Sequence, residues 1–324
     1  MMHTLSSQLR SDGVAPELEL LIGELAAASK TISAKVRQGA LAGVLGSAGH
    51  ENVQGETQKK LDVIANDVLK QTLGRLAQVR ALASEEEDHP VPCHVEGAYL
   101  VAFDPLDGSS NIDINGQIGT IFTVYPARDD VPALSPEQFA QSGRAQVCAG
   151  YVLYGPSTQL VLTTGGPVRL YTLAQDGGFV LTQEALRIEP ECSEFAVNLA
   201  NFRHWSAPVQ AYIQKLQAGV DGPRGRDFNM RWNGAMVGDV HRVLMRGGIF
   251  LYPANTQSKV HNGKLRLLYE AHPMALLVEN AGGRASDGQG DILDRVADQL
   301  HQRVPVVLGA ACEVQLVVET LAQG

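Results

Sequence analysis

Two carboxylates stand at the end of an apolar run in "VAFDPLDGSSNID", residues 101–113. Asp104 closes the run, Pro105 stiffens the turn, and Asp107 follows three residues after the first acid. Proline interrupts strand pairing, so this spacing predicts two acids at a strand mouth facing one place. Hard divalent cations take oxygen ligands, and magnesium sites combine carboxylates with substrate phosphate. The Leu106 carbonyl is a further oxygen in the same turn. Gly108 then lets the backbone approach a ligand closely, and Ser109, Ser110 and Asn111 offer donors. A helix beginning there would present free N–H groups to a phosphate. The competing reading is an ordinary turn capped by Asp104. An apolar strand that ends on two acids is an unusual pattern for such a turn.

Acids gather in three more places: Glu56 with Asp62, the run Glu85-Glu86-Glu87-Asp88, and Glu270. Taken alone, "SEEED" reads most simply as a solvated loop. It follows the strand candidate "RALA", however, just as "DPLD" follows "AYLVAF". If those two strands are neighbours in one sheet, both clusters lie at its carboxyl edge. Open α/β sheets bind ligands at that edge. Other chemistries fit worse. The chain has no G-x-x-x-x-G-K-[ST] loop, no H-E-x-x-H helix and no G-x-S-x-G elbow. An aspartyl-phosphate enzyme would use D-x-D after its strand, and D-x-x-D is one residue too long. His241 and His272 fall in apolar helical surroundings and read as structural.

Elements that must position these residues follow from periodicity. Residues 17–38 predict an amphipathic helix, with Leu18, Leu21, Ile22, Leu25, Ala28, Ile32 and Val36 on one face. A second helix is expected from about Thr57, with Leu61, Ile64, Val68 and Leu73 inward, Leu69 alongside, and Gly74 as its stop. "GTIFTVYP" is a strand closed by Pro126. "SPEQFAQSG" is a short helix capped by Ser135. "AQVCAGYVLYG", "TQLVLTTG", "VRLYTL" and "GGFVLT" predict closely spaced antiparallel strands. Beyond "RIEPECSEF", helix and strand alternate to the final helix.

The chain has 324 residues with 44% hydrophobic content, enough for one large or two ordinary domains. A boundary is expected near 190, with residues 1–190 an α+β domain carrying most metal ligands and 191–324 an α/β domain holding the ligand. Against 35 acidic residues there are 26 basic ones, a net charge of -9. No basic block suggests nucleic acid. An acidic protein binds an anion only through metal ions or local cations. No signal-type N-terminus and no apolar stretch of membrane length is evident. The scattered Cys93, Cys148, Cys192 and Cys312 point to thiols in a reducing cytoplasm.

Together "NVQGETQKKLD", "SEEED", "FDPLDGSSNID", "NGAMVGDVHRVLMRGGIFLYP", "NGKLRLLYEAHPMA" and "HQRVPVVLG" resemble class I fructose-1,6-bisphosphatase over nearly the whole chain. That family belongs to the lithium-sensitive, metal-dependent sugar phosphatases. The resemblance implies a layered α/β/α/β/α sandwich, a homotetramer, and hydrolysis of the 1-phosphate of D-fructose 1,6-bisphosphate in gluconeogenic or Calvin-type metabolism. It implies Glu85, Asp104, Asp107 and Glu270 as ligands of two or more magnesium ions, assisted by the Leu106 carbonyl and Glu86, with Glu56 nearby on a mobile loop. Asp62 and Glu86 would orient and deprotonate the attacking water. Gly108, Ser109 and Ser110 would cradle the departing phosphate. Asn198, Arg231, Tyr252 and Lys264 would hold the sugar and its retained phosphate, with Arg231 serving a neighbouring subunit.

This sequence departs from the animal pattern at Asn201 and Trp232, where tyrosines stand in animal members. Tolerance of sedoheptulose 1,7-bisphosphate is therefore one rival reading. A non-catalytic sugar-phosphate sensor is another, disfavoured because every metal-ligand position carries an acid. In the stretch matching the animal AMP site, "VAPELELL" places Ala15, Pro16 and Glu19, and Ala98 precedes Tyr99. Weak AMP control is implied.

Overall fold

The structure is a computed structural model that describes residues 3–51, 57–257 and 261–322. Its centre is an eight-stranded sheet. In spatial order the strands are Phe179–Gln183, Arg169–Leu173, Thr158–Thr163, Cys148–Tyr154, Ile118–Pro126, Tyr99–Asp107, Val79–Ser84 and Val91–Pro92. Neighbours run antiparallel except Val79–Ser84 and Tyr99–Asp107, which are parallel, with Leu82 opposite Val101 and Ser84 opposite Phe103. "SEEED" and "DPLD" therefore leave the sheet at the same edge, as adjacency of those two strands requires.

Successive side chains of a strand point to opposite faces, and here both faces are covered. Val101 and Phe103 pack beneath the helices Pro16–Gln38 and Lys60–Leu73. Leu100 and Ala102 face the other way, toward Val237, Val240 and Leu244 of the helix Met236–Arg246 and Met274, Leu277 and Val278 of the helix His272–Asn280. A five-stranded sheet lies beyond those helices, in the order Asn229–Met230, Glu194–Ala196, Ile249–Tyr252, Val306–Gly309, Arg284–Ser286. Its Phe250 and Leu308 face the middle layer. Its Ile249, Leu251 and Val307 face the outer helices Ala207–Gln217 and Ala311–Ala322. The layers therefore run helix, sheet, helix, sheet, helix.

One local expectation is corrected. Residues 57–59 form a short strand, and the helix begins at Lys60. Its inner face is Leu61, Asp62, Ala65, Asn66, Leu69 and Leu73, while Ile64 and Val68 are only half-buried. Two polar residues thus sit on the inner face because that face borders the acidic cluster rather than the apolar core alone. "SPEQFAQSG" makes one turn of 3₁₀ helix, Pro136–Phe139, with Ser135 accepting the Glu137 N–H at 3.2 Å.

Candidate functional site

Three segments, far apart in sequence, deliver carboxylates to one place. Asp104 and Asp107 end the strand Tyr99–Asp107. Glu85 follows the neighbouring strand, its N–H donating to the Phe103 carbonyl at 3.2 Å. Glu270 comes from a wide π-type turn, Leu267–Ala271, that leads into the helix His272–Asn280. Such turns recur where a side chain must be aimed at a function. One carboxylate oxygen from each of Asp104, Asp107 and Glu270 lies within 4.8 Å of the others.

The acids are nearly sealed from solvent: Asp104 is 2% exposed, Glu270 3%, and Asp107 and Glu85 9% each. Burial disfavours the charged form, and neighbouring acids add repulsion. Asp104 is pushed well above the usual carboxylate range by burial, then by Glu85, Asp107 and Glu270. Burial raises Asp107 to about 7 and Glu270 to about 8. Limited compensation comes from the protein. The Val237 N–H, in the first turn of the helix Met236–Arg246, donates to Asp107 Oδ2 at 2.7 Å. The positive end of that helix favours a carboxylate. The Leu106 N–H donates to Asp104 Oδ1 at 2.9 Å. The Arg266 N–H donates to Glu270 Oε2 at 2.6 Å, and its guanidinium stands 3.1 Å from Glu85 Oε1. An all-oxygen set of crowded, buried acids fits a hard divalent cation.

A cleft of about 360 Å³ opens over this floor. Its wall includes Glu85, Asp104, Leu106, Asp107, Gly108, Ser109, Ser110 and Glu270, together with Asn198, Tyr252 and Lys264. Gly108 has φ +81°, and a Cβ there would stand 2.4 Å from the Ala235 Cβ. Ser109 and Ser110 open a short 3₁₀ helix, Ser109–Ile114. Lys264 Nζ lies 5.9 Å from the centre of the Tyr252 ring, and Tyr252 also adjoins Trp232 at 6.1 Å.

Asp62 and Glu86 sit beside this cleft. The Lys59 N–H donates to Asp62 Oδ2 at 2.8 Å, and Asp62 Oδ1 is buried with no hydrogen-bond partner among the described residues. Burial, with the charges of Glu86 and Glu85, raises Asp62 to about 7. Glu86 accepts from Gln58 Nε2 at 2.6 Å. Arg231 is exposed, donates to the Met230 carbonyl at 2.9 Å, and does not line the cleft of its own chain. Glu56 lies outside the described residues.

Sequence reasoning missed Arg266, whose buried guanidinium and backbone N–H serve two of the acids. A single arginine inside the apolar run "KLRLLY", four residues before Glu270, was the available signal. It also missed Val237 and Phe250 as neighbours of the site, whereas Trp232, singled out in the sequence, does line the cleft. His241 and His272 lie away from the cleft, against Tyr151 and Tyr125.

Layer order and a carboxylate-floored cleft define a metal-assisted phosphatase architecture. Comparison with known proteins is specific. The family described as fructose-1-6-bisphosphatase, N-terminal domain, matches residues 3–184, and its C-terminal domain matches residues 188–322. A fructose-1,6-bisphosphatase class 1 of Cellvibrio japonicus is 62% identical over 323 residues, covering 99% of this chain and 100% of that one. A counterpart from Pseudoalteromonas translucida is 58% identical over 313 residues, covering 95% and 94%. The crystal structure of Leishmania major fructose-1,6-bisphosphatase in holo form superposes with a TM-score of 0.94 at 37% identity, with full coverage of both chains. The chain belongs to the class 1 fructose-1,6-bisphosphatase family.

Proposed function

We propose that this protein is a magnesium-dependent phosphatase that removes the 1-phosphate of D-fructose 1,6-bisphosphate, giving fructose 6-phosphate and phosphate. The observation that carries the reading is the convergence of Asp104, Asp107 and Glu270 oxygens within 4.8 Å, in a cleft also lined by Lys264, Tyr252 and Asn198. Glu85, Asp104, Asp107 and Glu270 would hold two or more magnesium ions, with the Leu106 carbonyl, Glu86 and Glu56 assisting. When bound, such ions neutralise phosphate oxygens, acidify a water and stabilise a departing alkoxide.

The protein's own groups do the rest. Phosphoryl transfer needs positioning and charge stabilisation more than a protein nucleophile. Asp62, raised to about 7 by burial, is suited to take a proton near neutral pH. Its Oδ1, without a partner among the described residues, is the atom available for that proton. Glu86, held by Gln58, shares the task of orienting water. Gly108, Ser109 and Ser110 cradle the phosphate that leaves, at a backbone approach that only glycine permits at position 108. Lys264, Tyr252 and Asn198 hold the sugar and the retained phosphate. Arg231, exposed and not lining its own cleft, serves a neighbour in a homotetramer. The reading sets the enzyme in the cytoplasm, with four free cysteines in support. Among the described residues no helix is long and apolar enough to cross a membrane.

Phosphate release is to be measured from fructose 1,6-bisphosphate, sedoheptulose 1,7-bisphosphate and fructose 6-phosphate, with and without magnesium. The expected result is magnesium-dependent release, fastest from the first and lost in a folded Asp104→Asn variant. Faster turnover of the seven-carbon substrate would overturn the substrate assignment. Full activity of Asp104→Asn at saturating magnesium would overturn the metal assignment.

A further inference from the structure

The two ligand-bearing segments that flank Asp104 are joined by a contact outside the cleft. Tyr269 directly precedes Glu270, and its hydroxyl lies 2.7 Å from His301 Nδ1. The other ring nitrogen, Nε2, lies 2.9 Å from the backbone carbonyl of Glu87, two residues after Glu85. A carbonyl only accepts, so Nε2 carries the proton. Nδ1 of the neutral ring is then an acceptor, and the tyrosine hydroxyl donates to it. The chain of donors runs in one direction, from the π turn through the imidazole to the acidic loop.

The surroundings of His301 restrict both segments further. The Leu267 N–H, at the start of the π turn, donates to the Gln302 carbonyl at 2.8 Å. Arg266 pairs with Arg303 in a short antiparallel ladder. On the far side, the Glu87 carboxylate accepts from Asn66 Nδ2 at 2.9 Å and is also bonded to Lys70 Nζ. Glu87 is thereby turned toward the helix Lys60–Leu73, with its carbonyl presented to the imidazole.

We infer that His301 is a positioning residue for the metal-ligand set: its ring spans Tyr269 and the Glu87 carbonyl and so fixes Glu270 and Glu85 at their mutual spacing. The inference rests on the metal-site reading above. Glu85 and Glu270 repel each other without a cation, and a rigid span between their segments keeps them from separating. Removing a hydrogen bond made directly to a metal ligand typically costs about 10–100-fold in metal affinity; His301 holds the ligands' chain neighbours, so the lower end, about tenfold, is expected.

The test is direct manganese binding, by titration calorimetry and by the loss of free-ion EPR signal, on purified full-length protein. His301→Ala should weaken manganese binding by about tenfold while the far-UV spectrum is kept. His301→Gln, whose side-chain N–H reaches as far as Nε2, should recover most of that loss. Tyr269→Phe, which keeps the ring and deletes one bond, should fall between parent and alanine variant. A folded His301→Ala protein that binds manganese within threefold of the parent overturns the inference, even if it melts earlier. So does a His301→Gln protein no better than His301→Ala. Should His301→Ala fail to fold, Tyr269→Phe decides, and unchanged affinity there overturns it. The Asp104→Asn variant is the zero point: manganese binding equal to the parent in that protein would sink the metal site itself rather than the role of His301.

Discussion

Gly108→Ala tests the site through its backbone, with no ligand removed. Two costs follow from the geometry. At φ +81° an alanine is in the left-handed region, which costs roughly 1–2 kcal/mol for an L-residue. The added Cβ also meets the Ala235 Cβ at 2.4 Å, against a comfortable carbon–carbon separation of about 3.5–4.0 Å. Gly108 and Ala235 must therefore part by roughly 1 Å or more. Those residues flank the 2.7 Å bond from the Val237 N–H to Asp107. Parting them drags the phosphate cradle and Asp107 away from the helix end together. A displacement of about 1 Å at a reacting centre costs on the order of 100-fold in rate. Phosphate release should fall by about that factor, and the denaturant midpoint should drop.

The double variant Gly108→Ala/Ala235→Gly separates the two costs. It removes the nearest collision but leaves the backbone strain, and glycine is acceptable at this helix start. Activity should recover to within about tenfold of the parent while a deficit of roughly 1–2 kcal/mol in stability persists. Steady-state phosphate release and urea unfolding measure the two quantities independently. A single variant with parental kcat/KM, or a double variant no more active than the single, would refute the close-approach argument.

Three further outcomes are expected. Arg231→Ala should raise KM by about 10–150-fold with little change in kcat, because the retained phosphate is remote from the reacting bond; mixed with inactive Asp104→Asn chains it should regain low-KM activity if the arginine serves a neighbour, and no recovery in confirmed hybrids would place its action elsewhere. His241 is pushed down to about 4 by burial beside Tyr151, so the unfolded chain takes its proton first and the folded state loses stability as pH falls from about 6.5 toward 4; relative to His241→Gln that loss should reach at most about 3 kcal/mol, and a pH-independent difference in urea midpoints would exclude it. AMP should inhibit weakly, because Glu19 keeps its charge through Ser6 and Arg10 and repels a phosphate; tight cooperative inhibition would contradict this.

How much of this was legible beforehand depended on distance along the chain. The strand mouth at Asp104 and Asp107 was readable because an apolar run, a proline and a glycine are consecutive. Parallel pairing of Val79–Ser84 with Tyr99–Asp107 was readable only as a condition, and the register supplied it. The inner face of the helix Lys60–Leu73 was misjudged because apolar periodicity alone favoured Ile64 and Val68. Leu69 is fully buried, and Asp62 and Asn66 turn inward toward other polar groups. The Val237–Asp107 bond joins residues 130 apart, and nothing local announces it. Arg266 was hidden in an apolar run because the partner of its guanidinium, Glu85, comes from a segment far earlier in the chain.

A cluster built this way is a poor choice for stability alone. Burial pushes Asp104, Asp107 and Glu270 all upward, which means each resists the charge it must carry to bind a cation. Apolar residues of similar size would hold the layers together at less cost. What the fold supplies instead is fixation from outside. The end of one helix holds Asp107, one arginine holds Glu85, and the same residue's backbone holds Glu270. None of these contacts lies between the acids themselves. They leave one oxygen each of Asp104, Asp107 and Glu270 within 4.8 Å of the others, on the wall of the cleft. A set of acids stabilised from its periphery while repelling at its centre is preorganised for a cation. It also explains why the wide turn at Leu267–Ala271 interrupts an otherwise regular helix start. An ordinary α-helical turn would rotate Glu270 by a fraction of a turn relative to Arg266 and separate the backbone N–H from the carboxylate it now holds.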